Sequence, residues 1–145
     1  MAKVEKSVLI GHSAAKMYAL VADVDAYPQF LPWCSGTEVR QIGADKAVAT
    51  LHVNYHGLRL HFTTENRMER GALIDMKLAN GPFKHLDGFW RFVALSEQAC
   101  KIEFQLNYEL SGRLVEKIAG PVFNHIAHTL VEVFVKRAAT LYGPG

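Results

Sequence analysis

The stretch from Arg113 to Tyr142 constrains this chain more than any other. From Pro121 onward, Val122, Phe123, Ile126, Ala127, Leu130, Val133, Phe134, Ala138 and Leu141 recur at the three- and four-residue spacing of one helical face. Asn124, His125, His128, Glu132 and Lys136 fall on the other side. Lys136 and Arg137 put positive charge near the carboxyl end, where the helix dipole favours it, and Gly143-Pro144 ends the run. About 20 residues at about 1.5 Å each give roughly 30 Å, enough to cross a small domain. Gly120-Pro121 interrupts the pattern, because proline has no amide donor, so Leu114 to Ala119 is expected to be a separate turn or a kinked first segment.

What precedes this helix is mostly two-residue alternation. Ala2 to Ile10 reads as a first strand. Ser13 then caps a short amphipathic helix carrying Ala14, Met17, Tyr18, Val21 and Val24. Tyr27 to Cys34 follows, with two prolines and a density of aromatic rings that must bury against something, as a plug at one end of the core or as the lip of a pocket. After Gly36 the alternation is broken at Gly43–Lys46, His56-Gly57, Arg70-Gly71, Gly81-Pro82 and Ser96–Gln98, which leaves room for six more strands.

The hairpin at His56-Gly57 fixes a register. A two-residue loop sets Tyr55 opposite Leu58, Val53 opposite Leu60 and Leu51 opposite Phe62 on one face. His52 then meets His61, Asn54 meets Arg59 and Thr50 meets Thr63 on the other, so the sheet has one apolar and one wet side. Ile74, Met76, Leu78, Gly88, Trp90, Phe92, Ile102, Phe104, Leu106, Tyr108 and Leu110 continue the apolar face. The expected architecture is one α+β domain spanning residues 1–145, a curved antiparallel sheet of about seven strands wrapped around the final helix, with two short helices after the first strand.

Composition excludes several classes. Half the residues are apolar or aromatic and the net charge is +2, which suits neither a disordered chain nor a strong polyanion binder, and no DNA partner is expected. Cys34 and Cys100 match no redox or zinc spacing and are expected to be reduced thiols in a cytoplasmic protein. Val8–Ile10 is too short for a signal peptide, and charges are expected to keep the last helix from spanning a membrane, although transient membrane contact stays open. Seven histidines raise the question of a metal, yet neither His125 with His128 nor His52 with His61 has a third ligand, and no metal or cofactor is expected. With no nucleophile setting, phosphate loop or paired acid and base, the expectation is a non-enzymatic protein.

Three motifs together resemble a known family. They are Tyr27-Pro28-x-Phe30-Leu31-Pro32-Trp33-Cys34, the run from Gly81-Pro82-Phe83-Lys84 to Gly88-x-Trp90-x-Phe92, and Gly120-Pro121-Val122-Phe123-Asn124-x-Ile126-Ala127 through Phe134–Ala138. In these, and in the order of elements over nearly the whole chain, it is similar to the bacterial and mitochondrial coenzyme Q-binding START-like proteins of the polyketide cyclase superfamily. The resemblance implies a helix-grip fold with a hydrophobic tunnel between sheet and last helix. It also implies two functions: ubiquinone binding in support of respiration, or, in a bacterial ribosome association toxin branch, docking on the large ribosomal subunit so that the small one cannot join. In compact length and the lack of a transit peptide the chain resembles the bacterial branch more, and membership of that branch is the expectation.

The leading expectation is a tunnel for ubiquinone or a related isoprenoid quinone, whose tail gains roughly 25 cal/mol per Å² removed from water. Leu31, Trp33, Leu60, Phe62, Met76, Trp90, Phe92 and Ile126 are the candidate lining. The alternative, large-subunit binding, would use exposed Arg59, Arg67, Arg70, Lys84, Arg91, Lys101, Lys136 and Arg137, which the sequence intersperses with acids. A polyketide cyclase is the less favoured third reading. The deciding feature is the interior: an open apolar tunnel beneath Trp33 and Trp90 favours a carrier, and a sealed one favours the outer surface.

Overall fold

A computed structural model describes residues 1–144. Strand β1 (Ala2–Ile10) leads into α1 (Ala14–Ala22) and a 3-10 helix at Val24–Gln29. Six strands follow, β2 (Cys34–Gln41), β3 (Lys46–Tyr55), β4 (Leu58–Glu69), β5 (Leu73–Asn80), β6 (Phe83–Ser96) and β7 (Ala99–Leu110), and α2 (Arg113–Tyr142) closes the chain. The strands form one antiparallel sheet in the order β1-β7-β6-β5-β4-β3-β2. Its connections are all hairpins except the crossover that carries β1 through the two short helices to the far edge, so β1 and β2 are the sheet's two edges.

Alternation decides which face of each strand is buried. In β7 every even residue from Cys100 to Leu110 is buried and every odd one is partly exposed. The β3–β4 hairpin has the register that its two-residue turn demands, from Tyr55 opposite Leu58 through His52 opposite His61 to Thr50 opposite Thr63. His56 and Gly57 both have positive φ, at 49° and 83°, the geometry that matches the twist of the flanking strands. Ser13 caps α1, its side chain accepting from the Lys16 amide at 3.1 Å.

The long helix departs from the expected break. It runs unbroken for 30 residues, about 45 Å, straight through Gly120-Pro121. Pro121 forfeits one hydrogen bond to the Lys117 carbonyl, but its ring is on the exposed side, where water can serve that carbonyl, while Ala119, Gly120 and Phe123 are buried. Tertiary packing of that face outweighs the local cost. The buried stripe is Phe123, Ile126, Ala127, Val131, Phe134 and Ala138; Val131 replaces Val133 in it, and Leu141 lies half exposed. By length and composition alone α2 could cross a membrane, contrary to the expectation that its charges forbid this; here its inner face lies on the sheet in the manner of a core helix. Its far end is fastened to the start of α1: His12 Nε2 donates to the Gly143 carbonyl at 3.0 Å, and the Tyr142 hydroxyl reaches the Lys16 carbonyl at 3.4 Å.

Candidate functional site

Between sheet and helix the packing is uneven. Toward the β3–β4 turn, Phe62, Phe83, Tyr108 and Phe123 meet edge to face with centroids 4.7–6.4 Å apart and close the interior. Toward the other end the inward positions of β3 are Ala47 and Ala49, which are too small to fill the distance to α2 and the 3-10 helix. The space left there has two parts. An inner apolar space of about 80 Å³ is bounded by Trp33, Phe62, Met76, Trp90, Ile126 and Phe134 among others. A wider cleft of about 340 Å³ lies between α1, the 3-10 helix and strands β2–β6. The two share Val24, Tyr27, Ala49, Asn66, Met76 and Trp90, so the cleft is the way in.

Of the eight candidate lining residues, Trp33, Phe62, Met76, Trp90 and Ile126 border the inner space. Leu31 and Phe92 are fully in the core but away from it, Phe92 packing on Tyr18 and Trp90. Leu60 lies instead in a shallow depression with His52, Arg59 and His61 at the hairpin. The opening is beside Trp90 rather than Trp33, because Trp33 touches only the inner space. Alternation alone missed Thr64 and Asn66, two buried polar residues on inward positions of β4. Thr64 Oγ1 donates to Asn66 Oδ1 at 2.7 Å, so the hydroxyl proton and the amide oxygen are paired with each other. A polar break in an otherwise apolar inward series (Phe62, Thr64, Asn66, Met68) is the signal that marks them.

The inner space offers little chemistry. Tyr27 is its sole ionisable bordering residue among those described. Its hydroxyl donates to the Val21 carbonyl, and burial, with smaller contributions from Cys34 and Asp23, pushes its pKa far above the usual tyrosine range. Burial also raises the Cys34 thiol, against a smaller opposing effect of a backbone hydrogen bond at Gly36, and the Cys100 thiol. Neither is a poised nucleophile. Charged groups occur at the cleft mouth, where Asp45 and Arg70 stand near Tyr18. Burial raises the Tyr18 phenol, and the Arg70 charge partly offsets that. Among the described residues no group of three or more His, Cys, Asp or Glu side chains could hold a metal ion.

A seven-stranded antiparallel sheet gripping one long carboxyl-terminal helix, with a cleft leading inward beside it, defines a START-like helix-grip protein. The chain belongs to the family described as polyketide cyclase / dehydrase and lipid transport, whose pattern matches residues 10–135. It is 43% identical over 140 residues to a Pseudomonas aeruginosa protein named ribosome association toxin RatA, covering 97% of each chain. A mitochondrial coenzyme Q-binding protein, COQ10 homolog B of Xenopus laevis, is 28% identical and matches over 95% of this chain and 58% of its own length. An 18 kDa Caulobacter crescentus protein of known solution structure superposes with a TM-score of 0.75 at 31% identity, covering 99% of both chains.

Proposed function

We propose that this protein associates with the ribosome, docking on the large subunit and hindering its joining with the small one. The observation that carries this reading is the 43% identity, over 97% of both chains, to a protein named a ribosome association toxin. The interior is consistent with it. About 80 Å³ of inner space is well below the roughly 300–1,000 Å³ of ordinary small-molecule pockets, so the closed core does not hold an isoprenoid quinone without rearrangement. The inner border also lacks the positioned acid and base that a cyclase would need, which supports a non-enzymatic role. A ribosome-directed role places the protein in the cytoplasm. The test is a sucrose-gradient profile after overexpression: joined ribosomes should fall and free subunits rise, and an unchanged profile overturns the reading.

One observation favours a second role in the same molecule. The 340 Å³ cleft continues into the apolar interior, and a relative at 28% identity is named a coenzyme Q-binding protein. A quinone ring in the cleft, with the start of its tail against Met76 and Trp90, would use space distinct from the outer face. Organic extraction and mass spectrometry of the purified protein, followed by titration with added quinone, tests this; absence of lipid and of binding removes it.

A further inference from the structure

The acids of this chain are unevenly placed. Fourteen Asp and Glu residues are present, yet none occurs between Asp45 and Glu65 or between Glu116 and Glu132. The fold brings these two acid-free stretches together, because Tyr55 at the β3–β4 turn stacks on His125 of α2 with ring centroids 5.9 Å apart and planes 9° apart. His56 packs on Tyr55 with ring centroids 4.1 Å apart, and on the opposite face of the same hairpin stand Arg59 and His61, both exposed, with His52 beside His61 at 5.6 Å between ring centroids. Glu38 of β2 is the carboxylate that reaches this end, and it is taken up by His52 Nε2 at 3.0 Å.

Elsewhere on the sheet several cations have carboxylate partners: Arg67 faces Glu69 and Asp75, Lys84 faces Glu109, and Arg91 and Lys101 share Glu103. Arg59, like Arg40 and Lys77, takes part in none of the ion pairs among the described residues. It borders a depression of about 340 Å³ shared with Ser35, His52, Asn54 and His61.

We propose that this hairpin end, built on Arg59, His56 and His61 with His125 behind the turn, is the surface that contacts exposed ribosomal RNA. The inference rests on the ribosome reading above and deepens it by naming the contact and its chemistry. A guanidinium without a local carboxylate is free to take a phosphate oxygen pair, and exposed imidazoles offer flat faces and ring nitrogens to unstacked bases. A rim poor in acids matters as much as the cations, since a carboxylate at the edge repels the phosphate backbone, and the one that reaches it, Glu38, is hydrogen-bonded to His52.

The experiment is co-sedimentation of the purified protein with purified large subunits across a salt series, comparing wild type, R59E/H61E and K46E, with thermal melting to check that each variant folds. The double charge reversal should weaken association at least about tenfold and flatten its salt dependence, while K46E, exposed at the far end of the same hairpin, stays within about twofold. The same loss should appear with protein-free large-subunit RNA; a loss confined to intact subunits points to a ribosomal protein and overturns the RNA contact. If wild type associates and the folded R59E/H61E variant associates equally well, this surface is not the contact. If wild type itself does not associate, the ribosome reading has failed first.

Discussion

The two ends of the space between sheet and helix belong to one sheet yet behave differently. At the end near the β3–β4 turn, large rings from β4, β6, β7 and α2 interlock around Phe123. At the other end Phe134 holds Tyr27, Phe30 and Trp90 at 5.3–5.4 Å, but Ala47 and Ala49 stand across from them and leave the cleft. The cavity is thus set by two small side chains on one strand, not by curvature alone. A helix-grip fold of this kind can be tight for stability at one end and loose for ligands at the other.

Truncating each end should separate them most clearly. F123A is expected to cost about 3–5 kcal/mol, since a fully buried ring leaves a void that its ring partners cannot collapse into. M76A, half buried beside existing space, should cost about 1–2 kcal/mol. Denaturant unfolding of both measures the gap; equal losses would mean that the two ends are packed alike. Gly88, midway along β6, has no room for a Cβ against the Gln105 carbonyl and Leu106, so G88A should cost about 1–3 kcal/mol through strain at the β6–β7 pairing. A49L works in the opposite direction. Its added carbons enter the open end and should raise stability by about 1 kcal/mol after side-chain entropy, while reducing any quinone uptake. A destabilised A49L would show that this end is already full.

This difference also explains what the sequence could and could not convey. The hairpin register was readable because a two-residue turn and strict alternation leave a single solution, and a one-residue slip would turn Leu51, Val53 and Phe62 to solvent. Alternation gives the face of a side chain, not its depth, which is why Leu31 and Phe92 are inside but off the inner space, and why Leu60 packs half-buried near the hairpin end, away from that space. A search for large apolar residues also cannot find a cavity, because it is made by Ala47 and Ala49. Pro121 misleads for a related reason: the cost of one missing hydrogen bond is local, whereas the burial of Ala119, Gly120 and Phe123 that offsets it is tertiary.

The smallest effect concerns the phenols, one at each end. Tyr27 at the open end and Tyr108 at the closed end are both pushed up by burial, Tyr108 with a further upward contribution from Glu116, and Tyr27 is the more strongly shifted. A raised folded pKa means that the folded protein keeps the proton while the unfolded chain loses it near its ordinary value of about 10. The stabilisation is therefore complete below about pH 10 and is lost progressively above it. Burial of Cys34 and Cys100 adds a loss with the same sign, beginning near their ordinary value of 9.0. At neutral pH, Y27F should cost about 1 kcal/mol, the net worth of the hydrogen bond to Val21. Above pH 10 the same variant should lose stability less steeply than wild type, and Y108F should flatten the curve less than Y27F does. Melting temperatures from pH 7 to 11 decide this: a steeper alkaline loss in Y27F than in Y108F would show that the phenol beside the cleft is already in contact with solvent.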